Sequence, residues 1–429
     1  MKKIKKDNLE KILCGYLILA LLTIFVSSVM TTYRFFDLER YSFIVYGLGI
    51  LGFIMLIYTI IKNRYTINKI DVVVILLTVF GIISVIFSKD PQISLLGRVG
   101  RYEGLYMILT YYIMFQISTI IKNKKLKEII INTILILGSI CVFYGLLQIT
   151  DYTGTIMNSW LYAKSFMGNS IFFSSYNILC LGLALGIYLF GSKEKKYYLI
   201  YILIFSIGLF STGSMSGLVG LIMMLIGIFI FIIYFIKKKK IESKPILKKS
   251  VFVVISIILS YCFISLIGRG HYSDDVKEVV NQAVSIVQNK SDDSFGTERL
   301  YIWKNTLKYV PKYILHGVGI DMFMSISPEP LILPISRSAV DKAHNEYLQI
   351  LATEGIFALI TYLTLLFMVF FNSLKRIFKN PNKNVLIIGL FLAFFGYIAQ
   401  AFFNISVCRV APIFYIVMGL LYNRYKEEN

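Results

Sequence analysis

Apolar residues along this chain gather in continuous blocks, and short polar stretches separate one block from the next. The blocks are about 20 residues long, which is the length that a helix needs to cross a bilayer. Because the runs are continuous and do not alternate, they predict helices and argue against the strands of a membrane barrel. The pattern therefore predicts an all-α membrane protein with about 12 transmembrane helices.

The predicted spans lie near residues 12–31, 41–61, 70–87, 103–121, 128–149, 170–190, 197–212, 214–236, 250–267, 347–371, 385–403 and 405–422. They divide the chain into three parts. Residues 1–267 hold the first nine helices, residues 347–429 hold the last three, and residues 268–346 form one large loop between them. A loop of this length in a compact protein is usually functional.

Much of the large loop has the apolar spacing of helices, so we expect it to be partly helical. The stretches "DDVKEVVNQAVSIVQ" and "GTERLYIWKNTLKYV" both repeat apolar residues at helical intervals. In the second stretch, Thr297 is a suitable N-cap residue, and Pro311 is expected to stop the helix.

The distribution of charge orients the predicted helices. Only 16% of residues are charged, yet the net charge is +20, and most lysines and arginines lie in short clusters between alternate apolar blocks. Such clusters mark cytoplasmic loops, so both termini are predicted to be cytoplasmic and residues 268–346 extracytoplasmic. The large loop carries nine basic and ten acidic residues and is nearly neutral. No basic face of a soluble domain is evident, so the partner that the composition indicates is the lipid bilayer and not nucleic acid.

Four arginines are predicted to lie near the extracytoplasmic end of the helices. Arg98 and Arg101 are three residues apart and would share one face of a helix. Arg299 begins a loop helix, and Arg409 lies within an apolar run, where charges are costly and usually functional. A guanidinium group suits phosphate oxygens, although each of these residues also has a structural alternative. Arg98, Arg101 and Arg409 could extend to the interface, and Arg299 could pair with Glu298 on the surface.

His344 is the candidate general base, since it stands directly before the tenth predicted span and imidazole titrates near neutral pH. The structural alternative is a polar residue that packs against the loop. Asp321 and Glu346 are carboxylates that could orient a histidine. The other two histidines, His271 and His316, are far apart in sequence and show no metal-ligand spacing, so no metal site is predicted.

Several motifs together resemble one family. "KAHNEYLQILATEGIFALITYL" resembles the signature of the O-antigen ligase and polymerase superfamily, in which a His-Asn pair precedes a transmembrane helix. "TERLYIWKNTLKYVPKYILHGVGIDMF" is similar to the upstream Arg, Trp and "GxG…F" pattern of the same family. "LLGRVGRYEGLY" resembles its early outer loop, and "FMGNSIFFSSYNILCLGLALG" resembles its "GNxN" helix. The resemblance runs from about residue 90 to the C-terminus.

The resemblance implies an integral-membrane glycosyltransferase of the bacterial plasma membrane that is inverting, independent of metal and without a cofactor. Its donor would be an oligosaccharide on undecaprenyl diphosphate, and its acceptor a hydroxyl of a glycan, a lipid or a protein. His344 matches the histidine that serves as base or orients the acceptor. Arg299 matches an arginine that meets the carrier diphosphate, and Arg98, Arg101 and Arg409 are further candidates for that contact.

The chain departs from the family at "STGSMSGLVGL", where Met215 occupies the position of an arginine. One contact to the diphosphate is therefore in doubt. A polymerase of capsule or wall polysaccharide is the favoured activity, since the high Ile, Lys and Asn content suggests an AT-rich genome and a single-membrane bacterium without a lipid A core. An O-antigen-type ligase or a protein O-oligosaccharyltransferase is the enzymatic alternative. A transporter or flippase for lipid-linked sugars is the alternative from another class, although no internal repeat supports it.

Overall fold

The computed structural model describes residues 6–35, 37–62, 65, 67–150, 162–267, 295–382, 384–422 and 424. In these residues the chain is helical and contains no strand beyond one isolated bridge between Ile332 and Ala339. The prediction of an all-α membrane protein is confirmed at this level. The predicted helix in "DDVKEVVNQAVSIVQ" and His271 lie outside the described residues.

The helices in chain order are α1 Lys6–Thr32, α2 Leu38–Ile61, α3 Lys69–Ile86, α4 Pro91–Leu96, α5 Leu105–Ile120, α6 Lys124–Ile149, α7 Ser170–Phe190, α8 Tyr198–Phe210, α9 Met215–Lys237, α10 Ser243–Ile267, α11 Phe295–Tyr309, α12 Glu346–Glu354, α13 Ile356–Lys379, α14 Val385–Gln400 and α15 Ala411–Leu421. Single-turn 3₁₀ helices follow α11 at Val310–Tyr313 and α14 at Ala401–Phe403.

Every predicted span contains a helix, but the helices differ in length. Within the described residues, nine are long and apolar enough to cross a membrane: α1, α2, α3, α6, α7, α9, α10, α13 and α14. The helices in the other three predicted spans are shorter, with 16 residues in α5, 13 in α8 and 11 in α15. The structure thus supports a multi-pass membrane protein and leaves the count of 12 as a prediction.

The tenth predicted span, 347–371, is wrong as a single helix because the chain breaks at Gly355. This residue has φ +89°, a left-handed conformation that glycine adopts easily. A Cβ atom at Gly355 would lie 2.6 Å from the carbonyl oxygen of Leu315, so a larger residue would also clash. The break makes α12 a separate short helix beside the large loop, and the span itself begins at Ile356.

The loop helix α11 begins at Phe295, two residues before the predicted N-cap Thr297. Its end agrees with the prediction, since α11 stops at Tyr309 and Pro311 lies in the 3₁₀ turn that follows. Proline lacks the backbone donor that a continuing helix needs, which explains the stop.

Helix α7 lies at the centre of the bundle, and α10 lies at its edge. In α7, 83% of an 18-residue apolar stretch is buried inside the protein, whereas in α10 the buried share is 22%. Small residues let α7 and α14 approach closely, since a Cβ atom at Gly186 would lie 2.4 Å from Cα of Gly389. Close contact through small residues is typical of helices that pack in membranes.

The predicted orientation is tested by cysteine labelling in a variant from which the five native cysteines are removed. We expect Ser338→Cys, in an exposed part of the large loop, to react in intact cells with a membrane-impermeant maleimide. Lys193→Cys, in the exposed turn between α7 and α8, should react only after the membrane is permeabilised. The reverse result would place residues 295–346 in the cytoplasm and reject the proposed orientation.

Candidate active site

Three segments that are distant in sequence meet at one end of the bundle through the carboxylate of Asp321. Its Oδ2 atom accepts hydrogen bonds from the backbone N–H of Arg98 at 2.7 Å and of Glu103 at 3.3 Å. Its Oδ1 atom lies 2.5 Å from Nζ of Lys342. Asp321 therefore joins the loop before α5, the turn after α11 and the segment that leads into α12.

This ion cluster is almost completely shielded from solvent. Asp321 and Lys342 are each 4% exposed, and Glu103 is 8% exposed. Glu103 lies 3.9 Å from the Lys342 ammonium and accepts a hydrogen bond from the Tyr111 hydroxyl at 3.1 Å. Although burial opposes the charged form, the two carboxylates raise the pKa of Lys342 above its ordinary value. The lysine thus stays charged, and each buried charge has a partner of opposite sign.

A second ion pair links the same loop to the same segment. Nε and Nη2 of Arg101 both lie 2.7 Å from Oδ2 of Asp341. The guanidinium group also lies 6.0 Å from the ring centroid of Phe172, in the first turn of α7. Although burial of Asp341 opposes it, the bond from Arg101 holds the pKa of this carboxyl below its usual range. Arg101 is therefore fixed in place and does not simply extend to the interface.

His344 follows Asp341 by three residues and Lys342 by two, and the residues on either side of His344 are also held in place. Trp303 on α11 donates its indole N–H to the carbonyl of Ala343 at 3.0 Å. The side chain of Asn345 caps α12 by accepting from the N–H of Leu348 at 3.0 Å. Between these contacts His344 has φ +50°, an uncommon conformation for this residue type that the surroundings stabilise. The backbone is thus held on both sides of His344.

Among the neighbouring cations, Arg299 has the largest electrostatic effect on this imidazole. Burial lowers the pKa of His344 to about 4, and the charge of Arg299 is the second cause. Arg299 itself is only 6% exposed, and burial lowers the pKa of its guanidinium to about 10. Arg299 is therefore not a surface residue, as the alternative of a surface pair with Glu298 required. The Glu298 carboxylate instead accepts from the backbone N–H groups of Ile335 and Ser336.

The remaining two arginines are placed differently from the prediction. Arg98 and Arg101 do not share a helix face, because α4 ends at Leu96 and the chain turns through residues 97–104. Arg98 contributes its backbone N–H to the Asp321 cluster. Arg409 donates to the carbonyl of Phe166 at 2.9 Å and lies 6.0 Å from the ring centroid of Tyr41. The charges of Arg299 and Arg101 therefore both act on the His344 imidazole, whereas Arg409 contacts Phe166 before α7 and Tyr41 on α2.

Glu346 faces the interior and not the imidazole. Its Oε1 atom accepts from the Tyr362 hydroxyl at 2.5 Å, and the residue is 5% exposed. The side chain lines a cavity of about 70 Å³ below the segment, together with Glu103, Asp321, Lys342 and Glu354. Asp321 likewise bonds to Lys342 and to backbone groups. The bonds of these two carboxylates are thus to other groups than the His344 imidazole.

Sequence reasoning missed Lys342, Glu103 and Asp341, which form the two ion links. The signal was the density of charge in "DKAHNE" and the acidic residue in "RYEG", directly beside residues already selected. Which carboxylate would meet which cation depends on contacts over more than 200 positions in sequence, and spacing does not reveal these.

In the described parts of the chain, no group of three or more His, Cys, Asp or Glu side chains is arranged to hold a metal ion. A fixed cluster of arginines beside a histidine, at the end of a bundle of apolar helices, instead suits an anionic group held at the membrane surface. Fold and site thus have the features of a multi-pass membrane protein that could act on an anionic substrate held at the membrane surface.

The comparison with protein families supports this class. Residues 200–363 match the model of the O-antigen ligase family, which is less than half of the chain but includes Met215, Arg299 and His344. The matched region is thus similar to the O-antigen ligase family, in agreement with the resemblance of the sequence motifs to that family. No similar sequence was found among curated proteins.

The role of Asp321 is tested by its isosteric amide. Asp321→Asn leaves the buried Lys342 ammonium without its closest counter-charge, and loss of one partner of a buried pair costs about 3–5 kcal/mol. We expect a clear fall in the thermal unfolding temperature of the purified protein. Asp341→Asn is the matched control, since its pair with Arg101 is partly exposed and worth about 1 kcal/mol or less. Equal effects of the two substitutions would contradict the central role of Asp321.

Proposed function

We propose that the protein is an inverting glycosyltransferase that uses an oligosaccharide on undecaprenyl diphosphate at the outer face of the plasma membrane. The observation that supports it best is the convergence of His344, Arg299 and Arg101 at one end of the membrane helices. The family supports glycosyltransferase activity in general. The donor, the side of the membrane and the polymerase activity are our proposals.

The depth of the site suits this donor. The polyprenyl tail of the carrier lies in the bilayer, so the diphosphate lies at the level of the headgroups. Catalytic groups must meet it at that depth, and the site stands where α5, α7 and α13 begin. Arg299 and Arg101 would hold the diphosphate and stabilise the negative charge that grows on it as it leaves.

His344 would accept the proton of the acceptor hydroxyl. The hydroxyl oxygen attacks the anomeric carbon of the donor sugar from the face opposite the diphosphate. A new carbon–oxygen bond forms, the bond from that carbon to the diphosphate oxygen breaks, and the electron pair leaves with the diphosphate. The proton passes to the imidazole and then to water.

The pKa of His344 is low because the residue is buried and lies near the charge of Arg299, and the second cause would change when an anionic donor binds. With a pKa of about 4 the imidazole is neutral at physiological pH and ready to accept a proton, but it is a weak base. An anionic diphosphate beside Arg299 would offset the cation that lowers this pKa. Donor binding would therefore raise the basicity of His344 at the step that requires it.

Met215 stands where the family has an arginine, so another residue would have to supply that positive charge. Met215 is the first residue of α9, where Ser214 caps the helix by accepting from the N–H of Gly217 at 3.3 Å. We propose that Arg101, fixed by Asp341, supplies the missing positive charge and that no metal ion is required. The N-terminus of α9 adds a partial positive charge near the position of the lost arginine.

A polysaccharide polymerase remains the favoured activity, and the product distinguishes it from its alternatives. The purified protein is supplied with a lipid-linked repeat unit in vesicles. A ladder of products supports a polymerase. One transfer to a lipid or a protein would indicate a ligase or an O-oligosaccharyltransferase. Movement of the substrate across the membrane without a new bond would indicate a transporter and reject the proposal.

Replacement of His344 tests its role as base. General-base catalysis contributes about 10²–10⁴ in rate, so His344→Ala should lose most transfer at saturating donor and acceptor while the protein still inserts. His344→Gln keeps a hydrogen-bonding group without proton transfer and separates the two roles. His316→Ala is the control, because His316 stacks on Phe87 at 4.7 Å, outside the contacts that surround His344. Turnover of His344→Ala within a few-fold of the native protein would exclude this assignment.

Replacement of Arg299 tests donor recognition. A hydrogen bond to a charged group is worth about 1.5–3 kcal/mol, so Arg299→Ala should raise the donor concentration needed for half-maximal rate by about 10-fold to 100-fold. Arg299→Lys keeps the positive charge and should lose less affinity for the donor, unless bidentate contact with the diphosphate is essential. Met215→Arg, in the same assay, shows whether a restored family charge improves donor use. Unchanged kinetics in Arg299→Ala would remove this residue from the donor site.

A further inference from the structure

A second polar cavity lies at the end of the bundle opposite His344. Helix α7 starts beside Arg101 and ends at Phe190, which lines this cavity of about 670 Å³. The ends of α7 and α9 and the start of α10 surround it. Its cationic lining residues are Lys239, Lys240 and Lys249. The cavity is distinct from the candidate active site.

Two of these lysines are held by helix ends and not by carboxylates. Nζ of Lys249 lies 2.6 Å from the carbonyl oxygen of Gly191 and 3.0 Å from that of Tyr188, at the end of α7. Nζ of Lys240 donates to the carbonyl of Phe378 near the end of α13. An ammonium group has three N–H donors, so such contacts fix its position without neutralising its charge.

The charge around the cavity is strongly positive. Residues 237–249 contain seven lysines and one acidic residue, Glu242, which is exposed at the cavity. Within the described residues, Lys239, Lys240 and Lys249 form no ion pair. The rest of the wall includes polar groups of Ser243 and Asn382 and an apolar part formed by residues such as Phe190, Ile236 and Ile246.

The apolar wall continues onto the outer face of α10, the least buried of the nine long apolar helices in the described chain. Leu247, Val251, Val254 and Ile258 on this helix are all more than half exposed. A ligand here would meet cations at the level of the helix ends and hydrocarbon side chains beside them. A free phosphate ion would use only the first of these features, and a zwitterionic lipid would gain little from the excess of positive charge.

We propose that this cavity, defined by Lys239, Lys240 and Lys249, binds the headgroup of an anionic phospholipid. The lipid phosphate lies among the three ammonium groups, and an acyl chain lies along the exposed face of α10. Basic pockets between transmembrane helices recognise anionic headgroups in this way. The lipid would bridge the ends of α7, α9 and α10 and fix the peripheral helix α10 to the central helix α7.

The test uses the purified full-length protein in detergent with phosphatidylglycerol or phosphatidylcholine of the same acyl chains. Retained lipid is counted by native mass spectrometry, and thermal unfolding is followed in parallel. We expect phosphatidylglycerol to be retained preferentially and to raise the unfolding temperature. Lys239→Gln with Lys249→Gln should weaken retention by about fivefold for each lysine removed. Lys244→Gln with Lys248→Gln is the matched control, which removes equal charge from residues 237–249 at positions that do not line the cavity.

Because Lys249 also bonds the end of α7, Lys239→Gln alone is the second variant, since Lys239 is exposed and has no such bond in the described structure. Weaker retention in this folded single variant supports the proposal. Equal retention of phosphatidylcholine, or equal loss in the Lys244 and Lys248 control, would overturn it. Displacement of the lipid by inorganic phosphate at millimolar concentration would also overturn it and indicate a phosphate site.

Discussion

The carboxylate of Asp321 is the contact on which the candidate active site depends. It accepts from two backbone amides of the loop before α5 and lies against the Lys342 ammonium, so three separate segments converge on one side chain. In an interior of low dielectric, a charge without its partner is costly, and this cost keeps the three segments together. The positions of Arg101 and His344 both follow from this arrangement, because each lies within three residues of a member of the cluster.

The cluster also explains how the charged groups of the candidate site are held in place. The positive charges of Lys342 and Arg101 are matched by Asp321 and Asp341, which fixes their side chains before any substrate binds. Arg299 is buried close enough to His344 to lower the pKa of the imidazole. Such preorganised charge is an effective way to stabilise a leaving diphosphate, because little reorganisation is needed during the reaction.

The two ends of the bundle use positive charge in different ways. At the His344 end the cations are few, and two of them, Arg101 and Lys342, are paired with carboxylates. At the opposite end the lysines are numerous, and two of those around the cavity, Lys240 and Lys249, bond to carbonyl groups at helix ends, where the helix dipole favours a cation. One end is therefore suited to a single oriented anionic substrate, and the other is suited to the anionic surface of the bilayer.

The sequence by itself determined that this is a multi-pass helical membrane protein, and it predicted the main members of the candidate site. Blocks of apolar residues specify membrane helices because each backbone group in a bilayer must bond within its own helix, which is a local requirement. His344 and Arg299 were selected by motif, and the family match includes both residues. Only the tertiary structure decided that the chain breaks at Gly355, that Arg98 acts through its backbone, and that Lys342 and Glu103 belong to the site. These features depend on close approach between distant segments, and a one-dimensional pattern contains no information on which segments will meet.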